Sequence, residues 1–261
     1  MKEKISRNQL AALLEEKHNQ YNTPDFIEED PISIPHRFDR KEDIEIAGFL
    51  TALIAWGRRT SIINNAIHLM KIMDMAPYEY VMNAVKGEMA ELDEFVHRTF
   101  NGTDCQAILL SLRNVYQNHG GLEGLFSKGI HPAHENVFHT ILFARDRLIS
   151  LEDFPLRSQK HIANPGAGSS AKRINMFLRW MVRNDRRGVD FGLWKNIFPH
   201  QLICPLDVHT GNVARKLGLL IRTQNDWKAA AELTANLRAF CPEDPVKYDF
   251  SLFGLGVYEG F

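Results

Sequence analysis

The sequence is poor in cysteine, and its cysteines are far apart. Cys105, Cys204 and Cys241 are the only three, and none forms a Cys-x-x-Cys pair. This spacing argues against a zinc ribbon and against a four-cysteine iron–sulfur cluster. An odd number of cysteines is typical of a reducing compartment, where disulfides are rare. We therefore expect no metal, no cofactor and no disulfide framework.

Long apolar runs and a strong charge imbalance are also missing. No run approaches the roughly 20 apolar residues of a membrane span. The N-terminus is charged and lacks the apolar core of a signal peptide. We therefore expect a cytoplasmic protein with no membrane partner. A net charge of −1 argues against a protein that is basic throughout, but it leaves room for a local basic face.

Alternating or β-branched runs, which would indicate strands, are absent as well, so the prediction is an all-α fold. Apolar residues recur at helical spacing in the middle of the chain, for example at Ile46, Leu50 and Leu53. Helices are predicted over residues 6–21, from Lys41, from Ile62 to Met73, in several pieces over 77–150, and near Trp227–Phe240. Three prolines predict a loop over residues 22–40.

A tryptophan and two arginines lie at the predicted junction before Ile62. Trp56, Arg58 and Arg59 have two interpretations. They could face a phosphate backbone, or Trp56 could belong to the core while the arginines are solvated. The histidines at 131, 134 and 139 do not have the His-Glu-x-x-His spacing of a zinc site, and they favour an ordinary polar helix start.

The most informative stretch runs from Asn164 to Leu220 and contains a lysine and an aspartate in unusual settings. Lys172 opens an amphipathic basic segment, and Asp207 follows Pro205 and several apolar residues. A neutral amine can attack the anomeric carbon of a sugar, and a carboxylate can stabilise the cation that forms. A lysine has a pKa near 10.4 in water, so it attacks only where burial or neighbouring cations lower that pKa. The alternatives are a solvated lysine and an aspartate that only caps a helix.

Basic residues gather in the same stretch. From Lys172 to Arg187 there are six basic residues and one acid, a local charge of +5 in a chain of net −1. The spacing of Arg179, Arg183 and Arg186 predicts one helical face, which would suit a phosphate backbone. Gly166 and Gly168 could offer backbone amides to a phosphate, or form an ordinary loop.

Three segments carry a resemblance to a known family. Pro205-Leu206-Asp207-Val208-His209-Thr210 resembles the Val-Asp…His element of helix-hairpin-helix DNA glycosylases of the endonuclease III and 8-oxoguanine type. Residues 165–168, Pro-Gly-Ala-Gly, followed by Lys172, are similar to the "PGVG-x-K" hairpin of that family. Residues 52–60 resemble its early "ILSQQT" helix without the glutamines.

The long interval between Lys172 and Asp207 is closer to archaeal 8-oxoguanine glycosylases than to endonuclease III. Residues 172–183 also resemble the signature of an uncharacterised bacterial family.

The resemblance implies one glycosylase-like domain of 261 residues with two helical subdomains and a cleft between them. The middle helices, about 44–150, would form one subdomain. The N-terminal helix and about 151–261 would form the other. Lys172 would be the nucleophile and Asp207 the catalytic carboxylate, and Lys195 is the alternative nucleophile.

The remaining expectations concern the substrate. The partner would be double-stranded DNA with a damaged base, flipped into the cleft, and the protein would act as a monomer. DNA-binding residues would be Arg58, Arg59, Gly166, Gly168, Arg173, Arg179, Arg183 and His209. The base would stack on Trp56, Phe177 or Trp180. The alternatives are a non-catalytic nucleic-acid-binding protein on the same scaffold, and an interaction protein without DNA affinity.

Overall fold

A computed structural model describes residues 5–85, 88–131 and 133–261, and this part of the chain is predominantly helical. Its α-helices are α1 (Arg7–Tyr21), α2 (Asp25–Glu28), α3 (Lys41–Leu53), α4 (Arg59–Ile72), α5 (Pro77–Asn83), α6 (Gly102–Asn118), α7 (Gly121–Lys128), α8 (Phe138–Leu148), α9 (Lys172–Val182), α10 (Val208–Lys216), α11 (Trp227–Arg238) and α12 (Asp249–Val257). The predicted all-α class is confirmed.

Short elements complete the secondary structure. Seven 3-10 turns occur in the described residues: Pro31–Ser33, Pro35–Arg37, Glu88–Glu94, Leu156–His161, Pro165–Ala167, Pro199–Gln201 and Pro245–Tyr248. Strand β1 (Val96–His97) pairs antiparallel with β2 (Phe100–Asn101). The sequence does not indicate this hairpin, because two-residue strands are too short to show alternation. The predicted loop over residues 22–40 instead contains α2 and two 3-10 turns, each turn led by a proline.

Side-chain caps explain where several helices begin. Ser6 caps α1 in a reciprocal pair with Gln9, and Asn101 and Asp104 form the same pair at α6. Asp207 caps α10, and Asp226 caps α11. Each cap satisfies a backbone amide that the helix itself leaves unbonded. The positions of these polar residues therefore set the helix boundaries.

The described residues form two compact units. The C-terminal unit comprises the described residues 5–26, Glu135–Val137 and Pro165–Phe261. The middle unit comprises the described residues within Ile27–His134 and Phe138–Asn164. In the C-terminal unit, α12 packs against α1 and α10. In the middle unit, α6 packs against α7 and α8, and α3 against α4 and α5. Residues 27–43 and 151–164 thus belong with the middle helices, outside the range of about 44–150 that the sequence suggests.

No helix in the described parts of the chain is both long enough and apolar enough to cross a membrane.

Candidate active site

Lys172 and Asp207 lie side by side in the C-terminal unit. Nζ of Lys172 is 3.8 Å from Oδ2 of Asp207. The two side chains are 29% and 28% exposed, so both are accessible to a ligand. Lys172 is the first residue of α9, and Asp207 immediately precedes α10. The proximity expected from the sequence is therefore present in the fold, while the catalytic roles stay predictions.

The backbone before Lys172 is held in an uncommon conformation. Ala171 has φ 51° and ψ 32°, in the left-handed region that disfavours residues with a Cβ. Its amide donates to Oγ of Ser169 at 3.1 Å. Nδ2 of Asn175, one turn into α9, donates to the carbonyl of Ser170 at 3.0 Å. These bonds fix the direction in which the chain enters α9, and with it the position of Lys172.

The two carboxylate oxygens of Asp207 have different partners. Oδ1 accepts a hydrogen bond from the amide of Thr210 at 3.0 Å, which caps α10. Oδ2 faces Lys172. The Ser170 hydroxyl donates to the carbonyl of Leu206 at 3.2 Å, which ties the start of α9 to the residue before Asp207. Capping and ion pairing are thus compatible in one side chain.

The segment that leads into α11 makes hydrogen bonds to the residues that precede α9 and α10. Nδ2 of Asn225 donates to the carbonyl of Asp207 at 3.0 Å. Oδ1 of Asn225 accepts from Nη2 of Arg215 at 2.6 Å, so both ends of this amide are engaged. The amide of Trp227 donates to the carbonyl of Gly168 at 3.2 Å, which binds the glycine loop to the start of α11. Asn225 is a contributor that sequence reasoning missed, because nothing near it in the sequence links it to Asp207.

The prediction that Arg179 and Arg183 contact DNA is wrong. They are 4% and 1% exposed, and they bind carboxylates of the same unit, of which Asp190 and Asp249 are buried. Arg179 donates to Oδ1 of Asp190 at 3.2 Å and to Oδ2 of Asp249 at 2.5 Å. Arg183 donates to Asp190 at 3.0 Å and to Asp244 at 2.8 Å. The physical reason is that their charges are neutralised inside the unit, so they offer nothing to a phosphate.

The predicted arginine face does not exist either. Helix α9 ends at Val182, so Arg183 follows its last residue. Arg186 lies beyond the helix with φ 63°. The spacing of three and four residues therefore does not place these arginines together on one helical surface.

The prediction that a base stacks on Phe177 or Trp180 is also wrong. Phe177 and Trp180 are both 0% exposed, because α9 is buried on nearly every side. The Phe177 ring packs edge-to-face on Trp194, with centroids 5.4 Å apart. Neither ring is available to a base.

The other predicted contacts in this unit lie on the surface or near it. Gly166, Gly168 and His209 are exposed, and Gly168 has φ 90° in the turn that begins at Pro165. Arg173 is half-buried, and burial lowers the pKa of its guanidinium to about 10. Their role in DNA binding stays a prediction.

The remaining predicted residues lie in the middle unit. Trp56 is half-exposed, stacks on His161 with centroids 5.9 Å apart, and meets His97 edge-on at 5.1 Å. Arg58 is exposed and Arg59 is partly exposed. Their roles in DNA binding and base stacking likewise stay predictions.

The carboxyl group of the buried Asp249 interacts electrostatically with Lys172 and Asp207. Burial raises its pKa to about 6; Arg179 opposes the increase, Asp207 adds to it, and Lys172 again opposes it. Sγ of Cys204 lies 3.8 Å from Oδ1 of Asp249. Sequence reasoning missed this residue, although an acid between Tyr248 and Phe250 is a signal of a carboxylate in apolar surroundings. The described residues contain no group of three or more His, Cys, Asp or Glu suited to a metal ion.

Comparison with known proteins places the chain in a family without supplying an activity. No curated protein and no solved structure matches it. A family profile covers nearly all of it, from the segment before α3 to the end of α12. The chain belongs to the family described as "Protein of unknown function (DUF2400)", whose profile matches residues 30–258.

Proposed function

We propose that this protein is a DNA glycosylase with AP lyase activity that acts on an oxidised purine in duplex DNA. The observation that carries the proposal is the 3.8 Å approach of Nζ of Lys172 to Oδ2 of Asp207. Amine nucleophiles require an adjacent group that accepts a proton, and a sugar cation requires a nearby negative charge. One carboxylate at this position meets both requirements.

The reaction balances with these two groups. Asp207 takes a proton from the ammonium of Lys172, and the free amine attacks C1′ of the damaged nucleotide. The bond from C1′ to the base breaks, and the base leaves with its electron pair and takes up the proton that Asp207 holds. The sugar then opens as a proton moves from Nζ to O4′, which gives a Schiff base between C1′ and Nζ. Asp207, ionised again, takes a C2′ proton, and the 3′ phosphate leaves with the electron pair of its bond to C3′, which cleaves the strand. Water hydrolyses the Schiff base and frees Lys172.

The surroundings of the pair support this chemistry. Thr210 and Asn225 fix the side chain and the backbone of Asp207, so its free oxygen is held toward Lys172 before any ligand binds. Preorganised polar groups are more effective than groups that must reorient during the reaction. Lys172 and Asp207 are each nearly one-third exposed, which leaves them open to a nucleotide.

A non-catalytic nucleic-acid-binding protein is the rival interpretation. The cap of α10 by Asp207 favours it, because capping alone would account for this aspartate without any chemistry. The two interpretations differ in whether a covalent intermediate forms.

Borohydride trapping separates them. We expect a covalent adduct between the protein and a duplex that carries 8-oxoguanine or an abasic site, and we expect Lys172→Ala to abolish it. Lys195→Ala is the matched control, because Lys195 lies in the same unit and its Nζ donates to the Gly192 carbonyl at 2.5 Å. This control variant should trap as the wild type does. Trapping that survives Lys172→Ala contradicts the proposal, and duplex binding with no trapping on any lesion supports the rival.

A further inference from the structure

Two exposed arginines of the middle unit, Arg58 and Arg98, belong to segments that meet at Gly57. Arg58 precedes α4, and Arg98 lies in the turn between β1 and β2; both are exposed. Within the described residues, neither guanidinium forms an ion pair or hydrogen bond. A Cβ on Gly57 would lie 3.1 Å from Nη1 of Arg98 and 3.3 Å from its Cδ. The side chain of Arg98 therefore lies across the backbone immediately before Arg58.

The position of Arg98 is imposed by its neighbours. Its φ is 56°, a left-handed conformation that is costly for a residue with a Cβ. The adjacent His97 is buried, and its Nε2 is 3.1 Å from the carbonyl of Trp56 while its Nδ1 is 2.8 Å from Nδ2 of Asn65. These contacts fasten the hairpin to the turn before α4. Arg98 itself is exposed, so its side chain stays at the surface next to that turn.

The same place offers hydrogen-bond donors besides the arginines. Arg58 forms no side-chain cap on α4. Thr60 and Ser61, in the first turn of this helix, are exposed, and their amides and hydroxyls form no hydrogen bond in the described part of the chain. The positive end of the helix dipole adds to the charge of the arginines. Guanidinium groups with free amides and hydroxyls are the donors that bind phosphate oxygens.

We propose that Arg98 and the Gly57–Ser61 segment form one surface, here called the arginine turn, which binds the phosphate backbone of duplex DNA. The choice of DNA as the polyanion rests on the proposed function, whereas the binding chemistry does not. With a net charge of −1, the chain has no general affinity for polyanions, so binding requires a local surface of this kind. The arginine turn would hold the duplex without reading its sequence.

Salt-dependent binding of a fluorescein-labelled undamaged duplex tests the arginine turn. Each phosphate contact contributes about 0.9 to the slope of log K against log salt, measured from about 50 to 200 mM. We expect Arg98→Ala and Arg58→Ala each to reduce the slope by about 1 and to weaken binding roughly eightfold near 0.1 M salt. Arg98→Lys should retain most of the slope. Arg98→Gly removes the charge and also relieves the left-handed strain. It should lose as much affinity as Arg98→Ala, and this comparison separates loss of charge from misfolding.

Arg186→Ala is the matched control. Arg186 is exposed and left-handed, with φ 63°, but it lies in the C-terminal unit. Its substitution should leave the slope unchanged. An equal loss with Arg186→Ala, or an unchanged slope with Arg98→Ala, would overturn the proposal. So would equal competition by polyglutamate, which would assign the surface to an acidic protein, or by millimolar inorganic phosphate, which would assign it to a small anion.

Undamaged DNA keeps this test independent of catalysis. It contains no damaged base for Lys172 and Asp207 to release, so the measured slope reports binding alone. If no lesion is trapped but Arg98→Ala still lowers the slope, the glycosylase proposal fails and the arginine turn stands. If a lesion is trapped and Arg98→Ala leaves the slope unchanged, the arginine-turn proposal fails and the glycosylase proposal stands.

Discussion

Asp207 is both a helix cap and half of an ion pair, and substitution can separate these two roles. Asn caps a helix about as well as Asp, whereas Ala at a cap costs about 1 kcal/mol. We therefore expect Asp207→Asn to unfold in urea within about 0.5 kcal/mol of the wild type, and Asp207→Ala to lose about 1 kcal/mol. Both variants should slow single-turnover base release by at least about 100-fold, because the proton acceptor is gone. Base release at the wild-type rate by Asp207→Asn would show that Asp207 only caps α10.

Asp249 makes the stability of the C-terminal unit dependent on pH. Its pKa is about 6 in the folded protein, above the ordinary value of 3.8. Between these values the unfolded chain loses the proton while the folded protein retains it. Ionisation therefore favours the unfolded chain, and this contribution to stability is lost as pH rises from about 4 to 6.

The variant Asp249→Asn isolates this effect. Its unfolding free energy, relative to the wild type, should rise by roughly 2 kcal/mol between pH 4 and 7, whatever its absolute stability. Urea unfolding of both proteins across this pH range measures the difference. Parallel pH profiles would mean that Asp249 ionises in the folded protein as it does in the unfolded chain.

At the scale of the elements, α10 depends on a glycine that leaves room for Asn225. A Cβ on Gly211 would lie 2.8 Å from Oδ1 of Asn225 and 2.9 Å from Nη1 of Arg215. Both atoms end flexible side chains, so they can move at little cost. Alanine is also the better helix former by about 1 kcal/mol. The same movement would disturb the bond from Asn225 to the carbonyl of Asp207.

We therefore expect Gly211→Ala to change the free energy of unfolding by less than about 1 kcal/mol, since helix propensity offsets the displaced side chains. Borohydride trapping should nevertheless slow by roughly tenfold or more, because a small displacement of a reacting group is costly in rate. Calorimetry and trapping rates measured on one preparation give both values. A stable variant that traps at the wild-type rate would show that Asn225 has no part in positioning Asp207.

Helix α9 shows where sequence reasoning about an element succeeds and where it fails. Apolar periodicity places a helix after Lys172, and the helix is there. The spacing of the arginines in this segment predicts one helical face that binds a phosphate backbone. Their partners Asp190, Asp244 and Asp249 come from segments 7 to 70 residues away. Local spacing carries no information on such partners, so the burial of Arg179 and Arg183 was not predictable from it.

For the whole molecule, the sequence predicts the class of fold and the pair of residues at the site better than it predicts the surface. Caps and apolar spacing are local, and they are sufficient for most helices. Lys172 and Asp207 could be paired because a motif resemblance relates them. The joining of α1 to the C-terminal region depends on distant contacts, such as the hydroxyl of Ser251 donating to the carbonyl of Leu14 at 2.7 Å. The arginine turn also depends on two segments that only the fold brings together.

The three cysteines give a test of the fold as a whole, because they lie in both units and differ in exposure. Cys105 of the middle unit and Cys204 of the C-terminal unit are buried, and burial raises the pKa of both thiols. Cys241 is partly exposed. The thiolate is the form that reacts with iodoacetamide, and it must also be reached by the reagent. We therefore expect iodoacetamide to modify Cys241 alone in the native protein, and all three cysteines in urea, as counted by intact mass and located by peptide mapping. Sγ of Cys204 lies 3.8 Å from Oδ1 of Asp249, which is buried and also accepts from Arg179. Rapid native alkylation of Cys204 would therefore mean that this part of the C-terminal unit is open to solvent, and the burial described above would then be wrong.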